Sequence, residues 1–231
     1  MSDQRFAVIG LGQFGSAIAR NLSKRGAEVL AIDFSIDKVE ALKDEVSHAV
    51  ALDATDKKAL LSQNIQDVDA VVVAIGENFQ GLLLCTFLLM ELNVKRIITR
   101  SMGTDQRRIL EKMGVTEILS PEDEVGGNVA EMLINPDVVM CVQLPDDFEI
   151  VEIKAPEGVL GRTLEDVGLR EKYKLNLVTI MRKNKESENK NDKKNYHILG
   201  VPDSNTIIEK NDIIIIFGLT KNIERFLEIN N

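Results

Sequence analysis

The sequence predicts an α/β protein, with a doubly wound parallel sheet followed by a smaller α+β lobe. Three observations predict it. Between residues 5 and 120, short apolar runs alternate with helical patterns six times over, which is the signature of consecutive βαβ units. A Gly10-Leu11-Gly12-Gln13-Phe14-Gly15 motif stands between the first apolar run and the first helical pattern. Past Pro136 the rhythm changes, and the remaining chain is long enough for a core of its own.

The first strand is expected over residues 6–9, Phe6-Ala7-Val8-Ile9, and the first helix over 16–25. Of the glycines between them, Gly10 allows a sharp turn off the strand and Gly12 lets a pyrophosphate approach the main chain. Gly15 lets the helix pack close to the sheet. Phosphates then meet free N–H groups at a helix N-terminus, where the macrodipole favours negative charge. This is the Rossmann-type arrangement. The second strand, 29–32, ends at Asp33, eighteen positions past Gly15. A carboxylate there accepts from the 2′ and 3′ hydroxyls of a ribose and repels a 2′-phosphate, so the ligand is expected to be adenosine- or NAD-like and not NADP.

A helix over 36–46 leads to a third strand, 49–52, which ends at Asp53-Ala54-Thr55-Asp56. The Asp53 carboxylate and local backbone suit the adenine edge, while Thr55 or Asp56 caps the next helix, 57–63. The fourth strand, 70–75, delivers Gly76, Glu77 and Asn78 to the topological switch point, where ligands of open α/β sheets bind. After a helix over 78–92, a fifth strand over 96–99 places Arg100 at the same edge, its planar fork suited to phosphate oxygens. A helix over 106–113 and a strand over 117–119 complete six strands, whose right-handed crossovers give the order 3-2-1-4-5-6. Pro121 opens a connector helix bearing Val125, Val129, Met132 and Leu133, stopped by Asn135-Pro136. Domains are thus expected at 1–120 and 138–231, with a crossover helix and linker over 121–137. In the second, strands are expected over 138–144, 148–153, 176–181 and 213–217, with helices over 163–167 and 222–227. Residues 182–195, rich in Lys and Asn with no apolar side chain before Asn195, read as a solvated loop.

A net charge of −9 argues against a nucleic-acid surface, which requires a basic patch. No cationic segment followed by an apolar one opens the chain, so no secretory signal is expected. The longest apolar run, 82–90, falls well short of the ~20 residues that span a bilayer, and a cytoplasmic protein is expected. Cys85 and Cys141 lack CxxC or His-rich spacing and read as reduced core thiols. A dehydrogenase needs an acid/base group over the nicotinamide. His48 and His197, the only histidines, stand in positions ill-suited to that, and no Tyr-x-x-x-Lys, Gly-x-Ser-x-Gly or P-loop lysine pattern occurs. Binding without catalysis is therefore the primary reading. A small NAD-dependent oxidoreductase is the chief rival, and a redox-sensing transcription factor is a third, disfavoured by charge.

The glycine loop, Asp33, Asp53-Ala54-Thr55, Ala74-Ile75-Gly76, the Pro121-Glu122 step and the small second lobe together resemble the regulatory subunits of bacterial Trk and Ktr potassium-uptake systems. The resemblance implies an RCK N-terminal domain of Rossmann type, a crossover helix and an RCK C-terminal domain. It also implies a cytosolic gating ring, commonly an octamer built from dimers, docked under a membrane channel subunit and switched by ATP against ADP or by NAD(H). On that pattern Gly10, Gly12, Phe14 and Gly15 hold phosphates, Asp33 the ribose, and Asp53, Ala54 and Thr55 the adenine. Gly76, Glu77 and Asn78 line the crevice, and Arg100 lies near the phosphates. Glu122 matches an acidic residue that helps bind a divalent cation at a dimer interface, and Arg170 falls near a cyclic di-AMP site of several relatives. Gln13 departs from the arginine of ATP-responsive members, and a neutral amide cannot offset a γ-phosphate charge.

Overall fold

Alternate residues of the first strands enter two different cores, which is why these strands read as continuous apolar runs. In the computed structural model, which describes residues 4–184 and 195–231, the chain forms two compact units, Met1–Asp123 and Glu124–Asn231. The first holds six parallel strands: β1 (Arg5–Ile9), β2 (Glu28–Asp33), β3 (His48–Ala51), β4 (Ala70–Val73), β5 (Ile97–Arg100) and β6 (Glu117–Leu119). Their order is β3-β2-β1-β4-β5-β6, as the crossover rule predicts. Val8 and Val72 join one apolar cluster with Ala19 and Val39, while Ile9, Val71 and Val73 join the other with Leu60, Leu82, Leu89 and Leu110. Helices α1 (Gln13–Lys24) and α2 (Ile36–Glu40) thus cover one face. The other is covered by α3 (Lys57–Ser62), α4 (Phe79–Glu91) and α5 (Thr104–Lys112).

The second helix is shorter than the expected 36–46. Past Glu40 the chain tightens into turns, with Leu42 N–H donating to Val39 O (3.1 Å) and Glu45 N–H to Leu42 O (2.9 Å). Leu42 stays buried all the same. An i, i+3 apolar spacing reads alike in both geometries, so the pattern alone gives no stop signal.

Helix α6 (Pro121–Ile134) carries the chain across the division between the units, and none of its residues is buried. The second unit is an antiparallel sheet of β7 (Val138–Gln143), β8 (Phe148–Lys154), β9 (Asn176–Lys183), β10 (Tyr196–Ile198) and β11 (Ile213–Leu219), in the order β10-β9-β11-β8-β7. The β7–β8 turn places Asp146 and Asp147 at φ 61° and 59°, a left-handed conformation that Asp tolerates better than most residues. Val151, Ile153, Ile180, Ile214 and Ile216 pack one sheet face against α9 (Thr220–Asn230), where Phe226 meets Tyr173 edge-on at 5.0 Å. Two short helices, α7 (Leu164–Val167) and α8 (Leu169–Tyr173), close that side. The sequence pattern gives no warning of α8 or β10, each too brief for a period to register. Of the polar run expected as a loop, Arg182 and Lys183 extend β9, and residues 185–194 lie outside the described residues.

Two acidic side chains are buried in this unit on opposite terms. Asp212 is fully buried, and the Arg182 guanidinium grips it through Nε (3.0 Å) and Nη2 (2.8 Å) while also donating to Ile207 O (2.8 Å). Glu149, also buried, receives the Cys141 thiol at 3.1 Å. Burial pushes the Glu149 carboxyl above its usual range, and Glu131 and Glu224 add to the effect. The Cys141 thiol, also pushed up by burial, lies at about 12.

Replacing Arg182 with Met strands the Asp212 carboxylate without a counter-charge, and the expected loss is about 3 kcal/mol of unfolding free energy. Urea denaturation of the two proteins measures it. For Glu149 the sign runs the other way. A carboxyl raised on folding contributes stability that is present below the unfolded Glu value, about 4.3, and is lost as pH rises through the folded value. Glu149→Gln is therefore expected to raise the thermal midpoint of the second unit at pH 7 and to flatten the decline that begins above the unfolded Glu value, about 4.3, as followed by scanning calorimetry.

Candidate functional site

The chain leaves β1 at Gly10 with φ +94°, and a Cβ there would lie 2.9 Å from the Ala74 carbonyl carbon and the Ile75 nitrogen. One turn into α1, a Cβ on Gly15 would lie 1.9 Å from Gly10 O. Both positions exclude a side chain. At Gly12, the N-cap of α1, a Cβ would meet nothing within 4 Å, so the open side there belongs to whatever approaches from outside. Ser16 N–H closes the first helical bond, to Gly12 O (2.9 Å). The N–H groups of Gln13, Phe14 and Gly15 therefore have no intrahelical acceptor, and Gly12 supplies no side-chain cap.

Asp33 braces this loop. Its carboxylate, only 5% exposed, accepts Leu11 N–H (2.7 Å) on Oδ2 and Ser35 N–H (2.9 Å) on Oδ1. An ionised carboxylate has about four lone-pair sites, so acceptor capacity remains for a ribose. Lys38, one turn into α2, brings its ammonium to 3.6 Å from Oδ2. Nothing in the sequence pattern singles out Lys38; only the turn between β2 and α2 brings it back.

At the neighbouring edge, Leu52 N–H donates to Asp33 O (3.0 Å) and sets the start of the Asp53-Ala54-Thr55 step. Asp53 Oδ1 accepts both Thr55 N–H (2.8 Å) and Thr55 Oγ–H (2.7 Å). These bonds, the hydroxyl first, hold the exposed Asp53 carboxyl below its usual range. Ala54 is buried beneath them, and the cap of α3 is Asp56, which accepts Lys58 N–H (2.8 Å).

Across the switch point, Asn78 caps α4 by accepting Gly81 N–H (2.9 Å), while Glu77 is exposed and Gly76 half-buried. Gly76 faces Arg100, whose Nη1 would lie 3.1 Å from a Cβ at that position. The Arg100 guanidinium also stands 5.5 Å from the Phe14 ring centroid and forms an ion pair with Glu122 in the first turn of α6. Its side chain is 17% exposed, and its buried Nε has no hydrogen-bond partner among the described residues. The pair lowers the Glu122 carboxyl, after a larger effect from Glu122's own backbone N–H.

The fold therefore gathers the glycine loop and Asp33 on one side, and Phe14, Gly76, Arg100 and Glu122 on the other. Asp53 to Thr55 stand beside Asp33 through the Leu52 bond. Among the described residues no three His, Cys, Asp or Glu side chains converge as a metal site, and Glu122 spends its carboxylate on Arg100. Arg170, in the second unit, donates through Nε to Asn176 Oδ1 (3.0 Å). No helix among the described residues is long and apolar enough to cross a membrane.

Comparison with known proteins bears on the whole chain. Residues 6–121 match the TrkA-N domain model and residues 148–231 the TrkA-C domain model. The Ktr system potassium uptake protein C of Bacillus subtilis (strain 168) is 34% identical over 223 residues, covering 96% of either chain. Among solved structures, the GsuK channel superposes with a TM-score of 0.67 at 13% identity, over 96% of this chain and 38% of that one. The NAD(P)-binding domain of an exopolyphosphatase-related protein from Archaeoglobus fulgidus superposes with a TM-score of 0.50 at 27% identity, over 56% of this chain and 96% of that one. The order of the two domain matches and the near-complete coverage leave one assignment: the chain belongs to the family of TrkA-N/TrkA-C proteins that includes the Ktr potassium-uptake proteins.

Proposed function

We propose that this chain is the cytosolic regulatory subunit of a Trk- or Ktr-type potassium-uptake system, switched by an adenine nucleotide at the glycine loop. The observation that carries this reading is the cradle itself. Two side-chain-free contacts, Gly10 and Gly15, fix a helix N-terminus whose amides have no intrahelical partner, with the Asp33 carboxylate braced beside it. The relative named above is a potassium uptake protein, and a domain of the same fold is named for NAD(P) binding. Gly10, Gly12, Gln13, Phe14 and Gly15 would take the phosphates, Asp33 the ribose, and Asp53 with Ala54 and Thr55 the adenine. Gly76, Glu77 and Asn78 would wall the crevice, and Arg100 would meet the phosphates with its guanidinium, trading the Glu122 pair for them.

In this reading residues 1–120 form the nucleotide domain, 121–137 the crossover and 138–231 the second domain. Glu122 stands at the root of the crossover, so a phosphate that competes for Arg100 alters the anchoring of α6. A divalent cation would use the Glu122 carboxylate with ligands from a second subunit, since the described residues of one subunit offer no cluster. A cyclic di-AMP site in the second domain would draw on Arg170. Subunits would pair into a dimer-based, octameric ring docked at the inner face of the membrane under the channel subunit. Exposed Val125, Val129, Met132 and Leu133 on α6, with Leu84 and Phe87 on α4, support such assembly. Ligand enters the mechanism only through its differential affinity for two ring states, because equal affinity shifts nothing.

Asp33→Ala is expected to weaken binding of adenine nucleotides by about 1–3 kcal/mol in isothermal titration, with thermal melting as the control for the loop's lost brace. Unchanged affinity would remove the ribose assignment. With Gln13 in the loop, ATP and ADP are expected to bind within about tenfold of each other, and Gln13→Arg to shift preference toward ATP. Replacing Val129 and Leu133 together with Asp is expected to split the assembly in light scattering while nucleotide binding survives. A wild type that is monomeric at tens of micromolar, with or without nucleotide, counts against the ring.

A further inference from the structure

Helix α6 keeps its polar side, not its apolar one, out of solvent. Val125, Val129, Met132 and Leu133 are exposed, whereas Glu131 and Asn135, one turn apart, are half-buried and joined by a bond from the Asn135 amide to Glu131 Oε1 (2.5 Å). Val138 N–H then donates to Asn135 O (2.9 Å) and leads the chain into β7. The end of the helix is therefore held by polar contacts, which respond to charge. The charge within reach is that of Glu149, whose side chain lies on the packed face of β8 with Val151 and Ile153, only 5% exposed. From β7 it meets the Cys141 thiol (3.1 Å), from α9 the Thr220 hydroxyl and the acidic Glu224, and from α6 Glu131, while its ladder neighbour on β11 is Gly218. Among the described residues no lysine, arginine or histidine pairs with it. Glu131 acts on Cys141 as well as on Glu149, which places it beside both strands.

We infer that Glu149 is a proton-controlled latch for the last turns of α6: with its proton, Glu131 rests beside it, and without the proton the new charge drives Glu131 and the helix end away. A neutral carboxyl needs no counter-charge at this depth, and a thiol and a hydroxyl suffice around it. An ionised one has two acidic side chains for neighbours and only those neutral donors to offset its charge. Of the two neighbours, Glu224 is carried by a helix anchored through buried Ile223, Phe226 and Leu227, whereas α6 buries none of its residues. The helix that yields is therefore α6. Its first turn bears Glu122, the partner of Arg100, so a pH signal at one end of α6 and an ion pair at the other act on the same crossover. The proton-bound state holds the helix, and the hold is lost as pH rises through the Glu149 midpoint.

The test follows two quantities in the full chain across pH: the Glu149 carboxyl by carbon NMR, and amide hydrogen exchange over residues 129–134 with rates corrected for the intrinsic pH dependence of exchange. Protection is expected to fall about tenfold as pH rises through the Glu149 midpoint, which is the linkage result if the proton binds tenfold more tightly with the helix in place than with it released. Glu149→Gln is expected to keep α6 protected at every pH. Glu131→Gln, at a position outside the core, is expected to lower the Glu149 midpoint and to remove most of the pH response. Protection that does not change across the midpoint overturns the inference. So does a pH response that persists in Glu149→Gln, or a Glu149 midpoint that Glu131→Gln leaves in place. Should Glu149→Gln fail to fold, Glu131→Gln decides alone.

Discussion

A methyl group on Gly15 would sit 1.9 Å from the Gly10 carbonyl oxygen, and that distance dictates how closely α1 can lie against the sheet. Because the helix starts so near the strand end, its first N–H groups gather over the carboxyl edge of β1. The approach needs a loop that does not relax outward. The Leu11 N–H bond to Asp33 supplies this by tying the loop to β2, and Gly10 N–H adds a second tie to Ile32 O at 2.8 Å. One carboxylate therefore ties the glycine loop to β2, which is why Asp33 is buried where an ordinary turn-capping Asp is exposed.

The order of the first sheet was legible because its central strands are buried on both faces, as Ala70 to Val73 are throughout, and crossovers between parallel strands are right-handed as a rule, so such runs admit few other placements. Gly10, Gly12, Gly15, Asp33 and Arg100 were legible for a related reason: each ends a strand or begins a helix at a position fixed by that order. The approach of Lys38 to Asp33 was not. It depends on a turn returning Lys38 toward Asp33, and no periodicity encodes a five-residue return. The partner of Arg100 was also invisible, since Glu122 comes from a helix whose direction the alternation of elements does not specify. In the second unit, α8 lies between Gly168 and Lys174, both in the left-handed region, and is too short to establish a helical period.

The two buried carboxylates of the second unit show what that sheet tolerates. Asp212 is held by a bidentate arginine and by the Glu209 N–H, which donates to Oδ2, so its charge is compensated where it stands. Glu149 has a thiol for a partner and acidic neighbours in Glu131 and Glu224. The two carboxyls lie at a similar depth, and what differs is the donors within reach.

The Arg100–Glu122 pair sets a scale for regulation. Glu122 is half-exposed, and ion pairs in that setting contribute about 0–1 kcal/mol once solvent screening is counted. Moving a two-state equilibrium from 1:99 to 99:1 takes about 5.5 kcal/mol. One subunit that trades this pair for a phosphate cannot supply that bias, however tightly the nucleotide is held, because only the difference between the two states counts. Subunits that switch together sum their differences, and a ring of the proposed size brings contributions of this order to the required total. In the proposed ring, weak and half-exposed coupling at each site would keep that site reversible, while coupling between subunits would make the response steep.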